Sequence, residues 1–308
     1  MEHIKIYQSS NFKNLFFRYY HNFFDHLICN LKQKYTVDED RYFEYADEKP
    51  RIITLSDNTS YQILECDLLI ENLTTNKLYF LSVCDLLSPC CLTLQFDKRL
   101  DIALISQYDK RLIESHIKIE NRNKFLPWIY FPYIDNNLQK FYNKRRKIEK
   151  FYDELFFSTS SSWYRPILKH IDNTILKTVN HIGEFKKYCD SAIHYKIGLS
   201  LGGKGDICYR DVEYMGLGIP FIRFKYTSDL NPPLIPNYHY ICIDKKMSCQ
   251  MRDKDGNEEY ANAIKEKFFE FKDNKNLLEY ISFNAYRYYS TYLKSPNNVD
   301  YTIQLLGL

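Results

Sequence analysis

Glycine is scarce in this chain, and long apolar runs are missing. Only nine of the 308 residues are glycine, and no segment has low complexity. The first residues, MEHIKIYQSSNFKNLFF, lack the apolar stretch of a signal peptide, and no run approaches the length that crosses a bilayer. We therefore expect a soluble, cytoplasmic protein without a transmembrane segment.

The sequence also lacks the spacings of common metal and disulfide sites. The nine cysteines are odd in number and include no C-x-x-C, a pattern typical of reduced thiols. The eight histidines show neither H-x-x-x-H nor H-E-x-x-H spacing. Residues 253–256, DKDG, place glycine fourth instead of sixth in a calcium loop, so we interpret them as an exposed turn. We expect no bound metal and no cofactor.

Neither sign of charge dominates. The chain has 42 lysines and arginines and 39 aspartates and glutamates, a net charge of +3 that gives no indication of nucleic-acid binding. The 28 tyrosines and 21 phenylalanines are spread along the whole chain, which favours an aromatic core and surface over a base-stacking platform. We expect no nucleic-acid partner, and the sequence leaves the oligomeric state open.

Six of the nine glycines fall in one window, YKIGLSLGGKGDICYRDVEYMGLGIPFIRF. Its hydrophobic pattern predicts a buried strand over 197–201, a helix over 207–217 capped by Asp206, and a second strand over 219–224. A strand followed by a glycine loop and a helix N-terminus presents backbone N–H groups and a positive dipole end to a phosphate. This window is therefore our candidate phosphate site.

Charged side chains in the same window support this interpretation. Lys204 lies in the loop and Arg210 one turn into the helix, so both bring positive charge to the candidate site. Glu213 follows Arg210 at i+3 on the same helix face. The combination suggests a phosphorylated ligand that also carries hydroxyls. A surface ion pair between Arg210 and Glu213 is the alternative.

In the rest of the chain, the hydrophobic pattern predicts strands that alternate with helices. Such alternation indicates a parallel sheet covered by helices on both faces. In the first half we expect strands at 3–7, 51–55, 63–71, 77–84, 101–105 and 128–131, a helix at 15–34 and a loop at 36–49. In the second half we expect strands at 154–157 and 238–243 and helices at 164–176, 260–273 and 277–293. The basic segment 136–150 is interpreted as a solvated linker helix.

The segment GGKGDICYRDVEYMGLGIPFIR, with LIPNYHYICI after it, resembles the donor-binding half of a GT-B glycosyltransferase, closest to the exostosin-like and CAP10-like branches. FFSTSSSWYRPIL resembles the phosphate-gripping loop of that branch, and NKFLPWIYFP resembles the end of its acceptor half. The resemblance covers roughly residues 125–245. It implies an α/β fold of two Rossmann-like domains facing across a cleft. The implied domains are 1–145 for the acceptor, 146–276 for the nucleotide-sugar and 277–308 as a C-terminal helix packing back on the first domain.

The resemblance also implies an activity, the transfer of a sugar from a nucleoside-diphosphate sugar to a hydroxyl of a glycan or other acceptor, with no requirement for metal. Arg210 would contact the diphosphate, Glu213 a ribose or sugar hydroxyl, and Arg165 the phosphates or base. The full set of implied donor-binding residues is Ser158, Thr159, Ser160, Arg165, Gly202, Gly203, Lys204, Gly205, Asp206, Tyr209, Arg210, Glu213 and His239.

The catalytic base is predicted separately. Inverting transfer needs a group that takes the proton of the acceptor hydroxyl, and Asp85 and Asp57 lie at predicted strand ends in the first half.

The chain departs from the family pattern in two ways. Many retaining members have a second glutamate eight positions after the first, where this chain has Phe221, so the stereochemistry stays open. Serines also replace the usual glycines at 158–161, which weakens the assignment of Arg165.

Other functions fit parts of the same window. The glycine loop is compatible with a methyltransferase cofactor loop or a dinucleotide-binding turn. A dinucleotide fingerprint needs G-x-G-x-x-G and an acid at the end of the next strand, whereas that strand contains Arg223 and Lys225. A catalytically inactive GT-B-like module that binds a glycan is a further alternative.

Overall fold

The computed structural model of the protein describes residues 1–11, 17–44, 51–64, 66–83, 87–129, 137–159, 166–180, 184–202, 206–246 and 257–308. These residues form a mixed α/β fold in two compact units. The first unit comprises Met1–Ile134, Ser228–Pro233 and Lys294–Leu308, and the second comprises Asp135–Thr227 and Leu234–Leu293. The domain boundary predicted after residue 145 thus differs from the division at residue 134.

The elements are numbered in chain order. The strands are β1 (His3–Asn11), β2 (Thr36–Glu44), β3 (Arg51–Thr54), β4 (Ser60–Ile63), β5 (Asp67–Asn72), β6 (Lys77–Ser82), β7 (Leu100–Ile105), β8 (Phe125–Pro127), β9 (Tyr152–Thr159), β10 (Leu176–Asn180), β11 (Tyr195–Leu199), β12 (Phe221–Lys225) and β13 (Ile241–Lys246). The α-helices are α1 (Phe17–Lys34), α2 (Pro89–Leu94), α3 (Lys110–His116), α4 (Asn137–Arg145), α5 (Phe185–Ala192), α6 (Tyr209–Leu217), α7 (Asn257–Phe271), α8 (Lys275–Tyr288) and α9 (Asn297–Leu306).

The first unit contains a six-stranded sheet in the order β2-β1-β5-β6-β7-β8, beside a separate β3-β4 hairpin. The sheet is mixed, because β5 runs antiparallel to both β1 and β6. The expectation of a parallel sheet is therefore wrong for this unit. Alternate residues of β5 face opposite sides: Leu68 packs with Leu27 of α1 and Ile303 of α9, whereas Leu69 packs with Leu94 of α2.

Two predicted elements of the first unit are wrong. The segment 36–49, expected to be a loop, contains β2, which pairs with β1 along its whole length from His3 opposite Thr36. This pairing supplies the backbone hydrogen bonds that the polar sequence did not predict. The strand expected at 128–131 lies earlier, at β8, and Trp128 follows it as a buried side chain.

The second unit contains a five-stranded sheet in the order β10-β9-β11-β12-β13, and every adjacent pair of strands is parallel. The expectation of a parallel sheet is confirmed here. Counted from β9, the strand order is 2-1-3-4-5, so the direction of winding reverses between β9 and β11. Open α/β sheets bind ligands outside the carboxyl ends of the strands at such a reversal. The helix expected at 164–176 is wrong, since its described part holds a 3₁₀ turn, Pro166–His170, and the start of β10.

The basic segment 136–150 is not a solvated linker. Arg145 of α4 is buried, and its guanidinium donates hydrogen bonds to the carbonyl oxygens of Ile193 (2.7 Å), Tyr195 (2.7 Å) and Gly218 (3.0 Å). Burial lowers the pKa of Arg145 to about 9. The helix thus joins the ends of α5 and α6 to the start of β11. Its other buried side chains are Leu138, Phe141 and Tyr142.

The end of the chain contributes to both units. Helix α8 belongs to the second unit, and the segment Lys294–Leu308, which includes α9, belongs to the first. The segment 277–308, which the sequence analysis expected to pack on the first domain, contains α9 and all but the first two residues of α8, and that packing stays a prediction. Within the described part of the chain, no helix combines the length and the apolar character needed to cross a membrane.

Cys66 forms a disulfide, so the expectation of reduced thiols is wrong there. The number and spacing of cysteines do not reveal which thiols are close in space.

Candidate functional site

The glycine window lies at the winding reversal of the second unit. The predicted strand, helix and second strand are confirmed as β11, α6 and β12. The carboxyl end of β11, from Leu199 to Gly202, leads toward α6, and the neighbouring carboxyl end of β9 carries Phe157 and Ser158. Gly203, Lys204 and Gly205 lie outside the described residues. The candidate site is therefore built on the ends of β9 and β11 and the first turns of α6.

Asp206 does not cap α6, contrary to the prediction. One of its carboxylate oxygens accepts a hydrogen bond from Arg223 Nη2 at 2.9 Å, and the other accepts from the backbone N–H of Thr227 at 2.5 Å. The helix begins two residues later than predicted, and Asp211 binds the backbone N–H of Cys208 at 2.9 Å. A carboxylate in the first helical turn performs the capping that was expected of Asp206.

Arg223 is a structural arginine. Its guanidinium is 3% exposed and forms a 2.6 Å ion pair with Asp211 and a 2.9 Å ion pair with Asp206. It also lies 3.5 Å from the ring centroid of Tyr226. These contacts join β12 to the start of α6, and they use the guanidinium fully.

Arg210 contrasts with Arg223. Its guanidinium lies 4.5 Å from the ring centroid of Phe157, at the carboxyl end of β9, in a cation–π contact. Among the described residues it has no hydrogen-bond acceptor and no carboxylate in ion-pair distance. The side chain is only partly buried, so its charge is available at the winding reversal of the sheet.

Glu213 lies next to Arg210 but forms no ion pair with it in the described structure, so the alternative of a surface ion pair is wrong. Burial raises the pKa of Glu213 to about 7. The positive charge of Arg210 and the hydroxyl of Tyr188 oppose this increase, and the charge of Asp211 adds to it. Near neutral pH the carboxyl group can therefore both donate and accept hydrogen bonds.

Tyr188 of α5 also lies near Glu213, and the sequence analysis did not predict it as a site residue. Its side chain is 6% exposed, and its hydroxyl oxygen is buried without a hydrogen-bond partner in the described part of the chain. Nothing in the local sequence pattern of residues 185–188 pointed to the site. Only the tertiary fold shows that Tyr188 lies near Glu213.

Three of the six clustered glycines serve packing or a turn instead of a ligand. A Cβ atom on Gly198 would come within 2.7 Å of the Tyr214 ring, and one on Gly216 within 2.7 Å of Leu138. Gly218 ends α6 with φ of 64°, a left-handed conformation that favours glycine. The clustering of glycines therefore overstated the number available to a ligand.

The other predicted donor residues of the window are only partly brought together. Gly202 follows β11, Tyr209 begins α6, Ser158 is buried near the end of β9, and Thr159 ends that strand. Ser160 and Arg165 lie outside the described residues. The contacts of the described members do not test their binding roles, which stay predictions.

His239 does not join the site. It is 7% exposed, and its Nδ1 accepts a 2.9 Å hydrogen bond from the backbone N–H of Ile235, within the turn before β13. Burial lowers the pKa of His239 to about 4, so the imidazole is neutral and accepts this bond. In the described structure no contact links it to Arg210 or Glu213, and its position indicates a structural role because the turn uses its ring nitrogen.

The candidate bases lie in the first unit. Asp57 is in the turn between β3 and β4, where its carboxylate accepts a 3.0 Å hydrogen bond from the backbone N–H of Thr59 and forms a 3.0 Å ion pair with Arg99. These contacts, led by the Thr59 N–H, lower the pKa of Asp57. Asp57 therefore stabilises a turn and is a weak base. Asp85 lies outside the described residues.

Among the residues that the structure describes, no group of three or more His, Cys, Asp or Glu side chains has the arrangement of a metal site. Residues 253–256, interpreted from the sequence as a turn, lie outside the described ranges.

Comparisons with known proteins find no sequence family and two distant structural alignments. Its sequence matches no protein-family model and no curated protein. A glycosyltransferase from Rickettsia africae ESF-5 aligns with a TM-score of 0.42 and 10% identity, over 67% of this chain and 62% of that chain. A chain of a GtfA/B complex aligns with a TM-score of 0.30 and 10% identity, over 86% of this chain and 71% of that chain. The alignment thus spans less than two thirds of the Rickettsia protein, and these similarities are too distant to indicate a function.

Proposed function

We propose that the second unit binds a nucleoside-diphosphate sugar and that the protein is a glycosyltransferase. The observation that carries the proposal is Arg210, an arginine without an anionic partner in the described structure, at the winding reversal of a parallel sheet. A diphosphate supplies the anion that this guanidinium lacks. The resemblance of the glycine window to GT-B donor halves supports a sugar nucleotide as its source.

The proposed reaction breaks the bond between the anomeric carbon and the β-phosphate oxygen and forms one to the acceptor oxygen. Negative charge develops on the leaving diphosphate in the transition state. Arg210, together with the N-terminus of α6, would stabilise that charge. Glu213 would bind a hydroxyl of the ribose or sugar, because a carboxyl group with a pKa near 7 is able to accept or donate a hydrogen bond.

The first unit is assigned the acceptor side of the reaction. We assign a glycan or other hydroxyl acceptor to the first unit, and a carboxylate there would take the proton of the acceptor hydroxyl. Asp85 is the stronger candidate, because the carboxylate of Asp57 is already bound in its turn. We also propose that donor binding needs no divalent metal, since Arg210 and Lys204 provide the positive charge.

The release of nucleoside diphosphate from a panel of nucleotide-sugars tests the proposal. We expect release by the wild-type chain, a large loss in Arg210→Ala, and no change in Arg287→Ala. The matched control removes an exposed arginine of α8 whose guanidinium lies 5.7 Å from the Phe283 ring centroid. Binding of a methyl donor or dinucleotide at the glycine window would favour an alternative. Glycan binding without release would indicate an inactive module.

A further inference from the structure

Among the residues that the structure describes, the buried hydroxyl of Tyr188 finds no hydrogen-bond partner. Native proteins pair nearly all buried polar atoms, because desolvating an unpaired one costs free energy. A phenylalanine would make the same ring contact with Phe156, at a centroid distance of 6.1 Å, without that cost. Packing alone therefore does not explain the oxygen atom.

Among carboxyl groups, Glu213 raises the pKa of the Tyr188 hydroxyl most. Each group shifts the pKa of the other: after burial, the Glu213 carboxylate contributes most to the raised pKa of Tyr188, and the Tyr188 hydroxyl lowers that of Glu213. In the described structure, Glu213 has no hydrogen bond in good geometry and no ion pair.

We propose that Tyr188 is a positioning residue for Glu213: its hydroxyl donates a hydrogen bond to the ionised carboxylate and directs the second carboxylate oxygen toward a hydroxyl of the bound ligand. This inference rests on the proposed function, since the ligand is the nucleoside diphosphate part of the donor. The ligand hydroxyl keeps its proton and donates a hydrogen bond, so no covalent bond changes.

The surroundings of Glu213 explain why such a donor is needed. Burial favours the protonated carboxyl group and the charge of Asp211 adds to this, whereas Arg210 favours the ionised form. Tyr214, also on α6, is a further ionisable group close enough to interact with Glu213. Asp211 pairs with Arg223 as a carboxylate, which accepts hydrogen bonds and donates none, so it cannot supply a donor to Glu213. Tyr188 on α5 adds a neutral donor that favours the form able to accept from a ligand hydroxyl.

The substitution Tyr188→Phe removes only the oxygen atom. Carbon-13 NMR of the full chain labelled at glutamate, with Glu213→Gln to assign the signal, measures the titration midpoint of Glu213 without ligand. We expect the midpoint to move upward by about one pH unit, the effect of one hydrogen bond to a charged group. The exposed Tyr152, substituted as Tyr152→Phe, serves as control and should leave the midpoint unchanged. An unchanged midpoint in Tyr188→Phe overturns the proposal.

Calorimetry at pH 7.5 tests the effect on the ligand. The uridine, guanosine, adenosine and cytidine diphosphates are compared, and the one that binds best is compared with its 2′,3′-dideoxy analogue and with pyrophosphate. We expect Tyr188→Phe to weaken the nucleoside diphosphate about fivefold and to change the other two less than twofold. Equal losses for all three overturn the proposal. If none binds the wild-type chain, the proposed function fails, and the NMR midpoint still decides whether Tyr188 serves Glu213.

Discussion

Arg223 and Asp211 form a 2.6 Å ion pair in the interior of the second unit, and neither side chain is more than 3% exposed. Arg210, the residue before Asp211, has no carboxylate partner among the described residues. The two arginines therefore differ in kind: Arg223 stabilises the start of α6, and Arg210 is free to bind an anion. Substitution of Arg223 should therefore lower the stability of the fold, whereas substitution of Arg210 should lower ligand binding.

Arg223→Ala should lower the free energy of unfolding by about 3–5 kcal/mol, because it leaves Asp211 and Asp206 without their positive partner. Urea denaturation measures this loss. Lys225→Ala, in the same strand but exposed, is the matched control and should stay within about 0.5 kcal/mol of the wild type. A loss below about 1 kcal/mol for Arg223→Ala would show that the buried ion pairs do not stabilise the fold.

Arg210→Ala should leave the chain folded and remove roughly 2–4 kcal/mol of transition-state stabilisation, the contribution of one preorganised donor. Nucleoside diphosphate affinity should fall with it, because the guanidinium is the proposed partner of the diphosphate. The values of kcat/KM and the calorimetric affinity of the variant and of Arg287→Ala provide the comparison. Unchanged turnover and affinity in a folded variant would disprove the assignment of Arg210.

Local patterns in the sequence predicted the centre of the second unit well. The strand, helix and strand of the glycine window were found because apolar runs and a polar loop identify such elements over short distances. Edge strands β2 and β10 were missed, since their sequences are polar and their backbone hydrogen bonds come from neighbouring strands. Pairing of this kind leaves little trace in a single sequence.

The candidate site was predicted only in part, for a related reason. Arg210 and Glu213 are close in sequence, so helix periodicity placed them together. Tyr188 comes from another helix, and Arg145 binds backbone carbonyl oxygens that carry no sequence signal. The packing role of Gly198 was not predicted, because only the fold shows that a Cβ atom there would come within 2.7 Å of the Tyr214 ring.

Gly198→Ala tests that packing role. The added methyl group would lie 2.7 Å from the Tyr214 ring, whose hydroxyl donates a 3.1 Å hydrogen bond to the Phe156 carbonyl oxygen. We expect a loss of about 1–3 kcal/mol in unfolding free energy, typical of an overpacked core. At Gly307 an added Cβ would meet no described atom within 4 Å beyond its chain neighbours and its own helix backbone. Gly307→Ala should therefore cost only the strain of its left-handed backbone, roughly 1 kcal/mol. Equal effects at the two positions would contradict the packing argument.

The stability of the chain should depend on pH through Glu213. The folded state raises the pKa of this group from 4.5 to about 7, so it binds the proton more tightly than the unfolded state does. Its contribution to stability is therefore complete below pH 4.5 and is lost as the pH rises through 7. Glu213→Gln should exceed the wild type in stability at pH 8 by about 1–2 kcal/mol and lose this advantage at pH 4.5. Parallel stability curves for the two proteins would show that the folded state does not raise the pKa of Glu213.

Removal of metal should leave donor binding intact. The affinity for a nucleoside diphosphate, measured by calorimetry with and without a chelator, should change less than about threefold, because positive side chains provide the electrostatic stabilisation. Loss of binding on chelation, restored by magnesium or manganese, would contradict this expectation.

The most direct test of the account is a crystal structure of the full chain with the best-bound nucleoside diphosphate. The account predicts phosphate oxygens within hydrogen-bond distance of the Arg210 guanidinium and a ribose hydroxyl on the Glu213 carboxylate, at the carboxyl ends of β9 and β11. A nucleotide bound elsewhere, with Arg210 still stacked on Phe157 and without an anion, would contradict it.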